Sequence, residues 1–245
     1  MFDLNAEFDK RKPWITRYVI DGQRYGDGEF DASNDPRLDL FFSRFQNISD
    51  ILELGSLEGG HTFALSSRPG VQRVVGIEGR ADNYEKARFL QDVLKVANVE
   101  FIAANLEKFD ISSLGTFDAV FCVGILYHLP APWKLLRQIA RVSSRLFIWT
   151  HYAEKGNTRV KGYDGLWYRE QGMQDPLSGM SHRSFWPTLK ALQKMLGDCG
   201  FDRTEIIQSN VSHPHGPEVL LAATQSGIPT RHTIRRQRVK RMFGL

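Results

Sequence analysis

From Ile51 onward, short apolar runs alternate with stretches of helical periodicity. ILEL (51–54) and RVVGIE (73–78) are each followed by a helical stretch; then come VEFIA (99–103), FDAVFCV (117–123), a further helix and RLFIWT (145–150). This alternation predicts a mostly parallel sheet with helices on both faces. Three helical faces stand out. Tyr84, Ala87, Leu90, Leu94 and Ala97 recur at helical spacing, as do Leu135, Leu136, Ile139 and Val142. Leu189, Leu192, Leu196 and Cys199 form a third stripe, which Gly200 is placed to stop as a C-terminal cap.

The flanks read differently. Residues 1–48 mix aromatics (Trp14, Tyr18, Tyr25, Phe30) with a Gly/Asp-rich stretch, which predicts a loose N-terminal lid and then a short helix near Arg37–Phe45. After Thr150, a Gly- and aromatic-rich stretch separates the fifth strand from the third helix and is too long for an ordinary connection. A strand at Arg203–Ser209, the turn SHPHGP and a last strand EVLLAAT follow, close enough to pair antiparallel.

Composition is that of a globular protein, 42% hydrophobic and 24% charged. The charge is unevenly placed. Arg231, Arg235, Arg236, Arg238, Lys240 and Arg241 sit in the last fifteen residues; subtracting those six from the net +4 leaves −2 on residues 1–230. A fold-wide nucleic-acid surface requires a basic body, so composition argues against one. The tail reads first as a solvated charge run, then as a contact for RNA or an acidic partner, and its spacing also suits an anionic membrane surface. Cys122 and Cys199 are the only cysteines, and neither a disulfide framework nor a zinc spacing is present. The longest apolar run, Ala119–Leu126, is far short of the ~20 residues that span a bilayer. With no apolar signal core at the N-terminus, the expected location is the cytoplasm.

The chemistry concentrates at strand ends. The first strand leads into ILELGSLEGGHT, with Glu53 near its end and Gly55, Gly59 and Gly60 in the turn. Glycine there allows a sharp bend and a ligand against bare backbone. The spacing is not G-x-G-x-x-G, and the Lys-Ser/Thr pair of a phosphate loop is missing. The second strand ends in Glu78, 23 positions after Gly55, followed by Gly79. A carboxylate so placed can accept hydrogen bonds from both hydroxyls of a ribose.

The order Glu53-x-Gly55, Glu78, Asn105 and FDAVFCVGILYHL resembles the class I S-adenosylmethionine-dependent methyltransferase family over roughly residues 48–225. The resemblance implies a Rossmann-like, mostly parallel seven-stranded sheet with the last strand antiparallel. It implies S-adenosyl-L-methionine as cofactor and S-adenosyl-L-homocysteine as product. It also implies a cofactor-binding domain over 49–151 and 187–226. Residues 1–48 form an N-terminal lid, 152–186 a substrate lid inserted after strand 5, and 227–245 a basic tail. Glu53, Gly55, Ser56 and Gly59 then lie against the methionine part, and Glu78 with Gly79 at the ribose. Asn105 and Leu106 approach the adenine, and Phe117–His128, including Val123 and Tyr127, forms the other wall. Leu57 stands where the family turn commonly has glycine, so a wider or tilted turn is expected.

Methyl transfer is an in-line displacement in which alignment matters most, with a general base when the acceptor is a hydroxyl. His128, after strand 4, and His151, after strand 5, are the candidates for that base. Tyr163, Trp167, Tyr168, Phe185 and Trp186, with Arg169, Glu170, His182 and Arg183, suit a lid over the acceptor. A slightly acidic body and an aromatic lid favour methylation of O or N on a small molecule or sugar-like substrate. GILYHLPAPWKLL is also similar to the strand-4 segment of the tRNA wobble-uridine carboxymethyltransferases, which offers a tRNA-modifying alternative. An NAD-dependent oxidoreductase and a non-catalytic cofactor-binding module are the alternatives of other classes.

Overall fold

The computed structural model describes residues 3–226, so the basic tail proposed at 227–245 lies outside the described residues. The chain divides into two compact units, Met1–Asn105 and Leu106–Leu245.

In the first unit, α1 (Leu4–Asp9) precedes the short hairpin β1 (Tyr18–Ile20) and β2 (Gln23–Tyr25). Helix α2 (Pro36–Arg44) matches the helix expected near Arg37–Phe45: Asp35 caps it by accepting from the Arg37 N–H, and Pro36 opens it. Then come β3 (Asp50–Leu54), α3 (Gly60–Ser66), β4 (Arg73–Glu78), α4 (Ala81–Leu94) and β5 (Val99–Ala103). Strands β3, β4 and β5 run parallel and in register, Glu53 opposite Gly76 and Glu78 opposite Ala103. Helix α4 stops at Leu94 because Lys95 turns left-handed (φ 53°) and the Val96 N–H donates to the Gln91 carbonyl. Ala97, expected on this helix, therefore lies beyond it.

In the second unit, β6 (Ala119–Val123), α5 (Pro132–Val142) and β7 (Arg145–His151) continue the alternation. Strands β8 (Thr158–Val160), β9 (Tyr163–Arg169) and β10 (Arg183–Pro187) form a separate three-stranded antiparallel sheet, the secondary structure hidden in the long insertion. Helix α6 (Leu189–Asp198) ends as its sequence suggests: Gly200 has φ 96°, its N–H donates to Gly197, and the Phe201 N–H donates to the Leu196 carbonyl. Strands β11 (Arg203–Asn210) and β12 (Glu218–Thr224) pair antiparallel, as anticipated.

The main sheet has seven strands in the order β11-β12-β7-β6-β3-β4-β5. Apart from the edge strand β5, its parallel strands are mainly apolar and buried, as double-sided covering requires. Strand β12 alone runs against the others, pairing antiparallel with both β7 and β11. The Rossmann-like expectation, including the antiparallel last strand, describes this sheet.

Candidate functional site

In the first unit the site is built on the bend between β3 and α3. Gly55 has φ 76° and Gly59 φ 85°, and the Gly59 N–H donates to the Ser56 carbonyl at 2.8 Å. Of the wider or tilted turn expected from Leu57, the widening is not seen, since this hydrogen bond closes the bend. Leu57 itself adopts the left-handed conformation (φ 50°) that glycine usually supplies. Its N–H donates to Glu78 Oε2 at 2.9 Å. The Arg80 N–H donates to Glu78 Oε1 at 2.8 Å. Two backbone donors thus hold the buried carboxylate in place, with the Asn83 side chain as a further hydrogen-bonding neighbour. Burial raises the Glu78 pKa, and the hydrogen bonds from Arg80 and Leu57 oppose that shift. Gly79 follows directly, half-buried.

Two further features fit a ligand lying against this bend. The Ser56 hydroxyl is buried and has no hydrogen-bond partner among the described residues. A buried hydroxyl without a partner is costly and marks a place where a ligand atom is expected. Below it, Gly76 is closely packed: a Cβ there would stand 3.0 Å from the Ser56 Cβ and 3.1 Å from the Phe101 ring, so either side chain would have to shift.

Glu53 is buried and accepts a short hydrogen bond from the Thr62 hydroxyl. Burial pushes its pKa up to about 8; the Thr62 hydrogen bond opposes this and the Glu78 charge adds to it. His61 stands beside it, Nδ1 4.0 Å from Glu53 Oε1, while its Nε2 lies 2.8 Å from Asp35 Oδ2. Arg37 Nε donates to both oxygens of Asp35. Burial works against the Asp35 charge, yet His61 and Arg37 outweigh it and hold the carboxyl well below the usual range.

Glu58 was not recognised in the sequence and proves central to the turn. It is fully buried. Its carboxylate accepts from the Ile15 N–H, the Thr16 N–H (2.8 Å) and Lys86 Nζ (2.8 Å). Its carbonyl accepts from the Tyr18 hydroxyl at 2.7 Å. Lys86 also donates to the Pro13 carbonyl. Residues 14–32 are therefore held on the bend, and Trp14 and Tyr18 are buried with Phe8 and Leu90. The segment is not the loose lid its composition suggested. Its only sequence signal was an acid inside a glycine turn, which reads equally well as a solvated residue.

Asn105 closes the first unit two residues after β5, half-buried, next to Ala104, whose N–H donates to the Glu78 carbonyl at 2.8 Å.

In the second unit, Leu106 and Val123 are buried and Tyr127 is half-buried in a single 3-10 turn, Leu126–His128. The Tyr127 ring lies 4.0 Å from the His128 ring and 4.7 Å from the His151 ring, so both candidate histidines flank one tyrosine. His151 ends β7 and is buried, not an exposed loop residue. Its Nδ1–H donates to the Gly216 carbonyl at 3.0 Å. Burial pulls its pKa down, against the carbonyls of Gly216 and Pro217. Its ring stacks on Trp186 (5.2 Å, 10°), which stacks in turn on Tyr168 (4.4 Å, 12°). The buried Trp186 Nε1–H has no partner among the described residues. His128 faces Glu170, with Nδ1 3.2 Å and 3.3 Å from the two carboxylate oxygens. Of the other insertion residues, Phe185 is buried, Trp167 packs on Phe185 and under Arg183, and Tyr163 donates to Asp198. Arg169 and His182 are exposed. Among the described residues, no group of three or more His, Cys, Asp or Glu is placed to hold a metal ion, and no helix is long and apolar enough to cross a membrane.

A family described as "Methyltransferase domain" matches residues 47–162. The N-terminal domain of EvdMO1, crystallised with S-adenosylhomocysteine (SAH) bound, is 31% identical with a TM-score of 0.84, covering 92% of this chain and 98% of that one. The chain belongs to the class I S-adenosylmethionine-dependent methyltransferase family. The same EvdMO1 domain crystallised in the presence of SAH and D-fucose superposes on this methyltransferase with a TM-score of 0.83, at 31% identity, covering 91% of this chain and 95% of that one. The tRNA U34 carboxymethyltransferase of Desulforapulum autotrophicum is 24% identical over 167 residues, which are 67% of this methyltransferase and 48% of that protein. The chain spans about half the length of the curated relatives it matches. S-adenosyl-L-methionine is the family's cofactor, and the unpartnered Ser56 hydroxyl and the doubly anchored Glu78 carboxylate are chemically suited to it.

Proposed function

We propose that this protein transfers a methyl group from S-adenosyl-L-methionine to a hydroxyl of a small, sugar-like acceptor. The observation that carries the reading is the buried Glu78 carboxylate at the end of β4, pinned against the glycine bend by the Leu57 and Arg80 backbone N–H groups. That arrangement suits the paired hydroxyls of a ribose. Ser56, Gly55, Gly59 and Glu53 would hold the methionine part. Gly79, Asn105, Leu106, Val123 and Tyr127 would line the nucleoside. The bound cofactor supplies an electrophilic methyl group on a sulfonium.

The protein's own part is to align the acceptor, exclude water and receive a proton. Tyr168, the exposed member of the stack with Trp186 and His151, offers a flat aromatic face of the kind that packs against sugar rings, and the Trp186 N–H adds an unused donor. The acceptor class also draws support from the EvdMO1 domain studied with D-fucose. Calorimetric titration with SAH tests the cofactor half. A radiolabelled-methyl assay over a panel of 6-deoxyhexoses, their glycosides and nucleotide-linked forms tests the acceptor half. Absence of SAH affinity in folded protein overturns the reading.

A tRNA-modifying reading has the carboxymethyltransferase likeness behind it. It requires tRNA binding that weakens steeply with salt and declines on removal of residues 231–245. Weak binding insensitive to salt excludes it.

A further inference from the structure

Glu170, just beyond β9, is buried and receives three hydrogen bonds from the insertion besides facing His128. Its Oε2 accepts from the Ser178 hydroxyl (2.6 Å) and the Gly179 N–H (2.7 Å), and its Oε1 from the Ser184 hydroxyl (2.6 Å). Both oxygens face His128 Nδ1. Burial opposes the charge on Glu170, but the donors from His128, Ser178, Ser184 and Gly179 prevail and bring its pKa down to about 2. The carboxylate has no proton to give, so Nδ1 of His128 is the donor in that contact. In the neutral ring the lone pair then sits on Nε2, which has no hydrogen-bond partner among the described residues.

The surrounding chain is shaped to this contact. A Cβ on Gly179 would stand 2.6 Å from the His128 carbonyl and 3.1 Å from Glu170 Cδ, so the 175–180 loop closes on the pair only because it is bare there. The Phe185 N–H donates to the Leu129 carbonyl at 2.9 Å, tying β10 to the same turn. The other histidine is less suited to the task. His151 is buried, stacked on Trp186 and hydrogen-bonded to backbone carbonyls with no carboxylate in direct contact, and that burial outweighs the Glu218 charge and disfavours its charged form.

We propose that Glu170 is a positioning residue for methyl transfer, holding His128 with Nδ1 protonated so that Nε2 takes the proton of the acceptor hydroxyl. The inference rests on the methyltransferase reading above. As the acceptor oxygen bonds to the methyl carbon, the sulfur–carbon pair stays on sulfur and the O–H proton passes to Nε2. Positive charge leaves the sulfonium and arrives on an imidazolium beside the Glu170 anion. The insertion thereby completes the catalytic group as well as covering the acceptor.

Ring-15N histidine labelling of the full chain reads the His128 tautomer without cofactor or acceptor, with His128→Gln assigning the resonance. The neutral wild-type ring is expected in the Nδ1-protonated form, and Glu170→Gln is expected to bring in the Nε2-protonated form. In the same variant, turnover of the panel acceptor should fall at least thirtyfold while SAH affinity stays within twofold. Ser184→Ala, which keeps the charge, provides a milder series if Glu170→Gln does not fold, with a smaller loss in the same direction. An Nε2-protonated wild-type His128 with SAH affinity intact overturns this proposal alone. So does unchanged turnover in a folded Glu170→Gln protein whose tautomer has shifted. A wild type that does not bind SAH, or binds it and turns over no panel member, overturns the methyltransferase or acceptor reading and this proposal with it.

Discussion

The Leu57 N–H reaches across to Glu78 Oε2 at 2.9 Å, so the bend after one strand and the acid ending the next are a single hydrogen-bonded piece. The link uses the Leu57 backbone, so it survives a change of the Leu57 side chain but not the loss of the Glu78 carboxylate. Glu78→Ala removes charge-assisted hydrogen bonds to a ligand and also frees the Leu57 and Arg80 N–H groups. We expect SAH affinity to drop at least tenfold, about 1.4 kcal/mol or more. Calorimetry on the folded variant checks this; unchanged affinity removes the ribose assignment.

Leu57 holds a left-handed conformation that costs a non-glycine residue about 1–2 kcal/mol. Leu57→Gly relieves that cost while making the unfolded chain freer, so the net change in unfolding free energy should stay within about 1 kcal/mol, with SAH binding retained. Leu57→Val places a branched Cβ at φ 50° and should destabilise by more than the glycine variant. Urea titrations distinguish the two. Equal stability of the valine and wild-type proteins would mean that the bend has relaxed away from this geometry.

The buried Glu58–Lys86 pair predicts an asymmetric response to mutation. Lys86→Met strips the partner from a carboxylate with no access to water, and losses of about 3–5 kcal/mol are typical of such half-broken pairs. Combining it with Glu58→Leu removes the stranded charge and should recover part of the loss. Limited proteolysis should find residues 14–30 newly susceptible in the single variant. A loss below about 1 kcal/mol for Lys86→Met would contradict the buried-pair account.

Glu53 and Glu78 both have folded pKa values raised by burial, Glu53 to about 8. The folded state then binds protons more tightly than the unfolded chain. Their contribution to stability is complete below the ordinary carboxylate pKa and declines as pH rises toward and through 8. Asp35 runs the other way: its lowered pKa gives stability that is present above the ordinary value and lost in strong acid. Melting temperature should therefore fall between pH 6 and pH 9, and Glu53→Gln, which keeps an acceptor for Thr62, should flatten that fall. A wild-type profile level over this range would place the Glu53 proton elsewhere.

Much of this architecture was legible because the central strands are buried and read as short, mainly apolar runs. ILEL, RVVGIE, VEFIA and FDAVFCV fall on β3 to β6 with little error, and the Gly200 stop of α6 is a local backbone signal that needs no tertiary information. The failures are tertiary. Ala97 continued a helical spacing that a single left-handed lysine cut short. The three strands of the insertion lacked an apolar alternation clear enough to separate them from aromatic loop. Glu58 and Glu170 are charged residues in polar surroundings in the sequence. Only folding brings Ile15, Thr16 and Lys86 to the first, and His128, Ser178 and Ser184 to the second. Partners 42 and 43 residues away leave no trace in local pattern.

The attachment of residues 14–32 to Glu58 bears on how this protein can be cut. A fragment begun at Ile51, where the strand pattern first becomes regular, would keep every glycine of the bend yet leave an anion stripped of its backbone donors beneath it. Such a fragment should express poorly and bind nucleoside ligands weakly. The opening thirty residues belong in any minimal version of the enzyme.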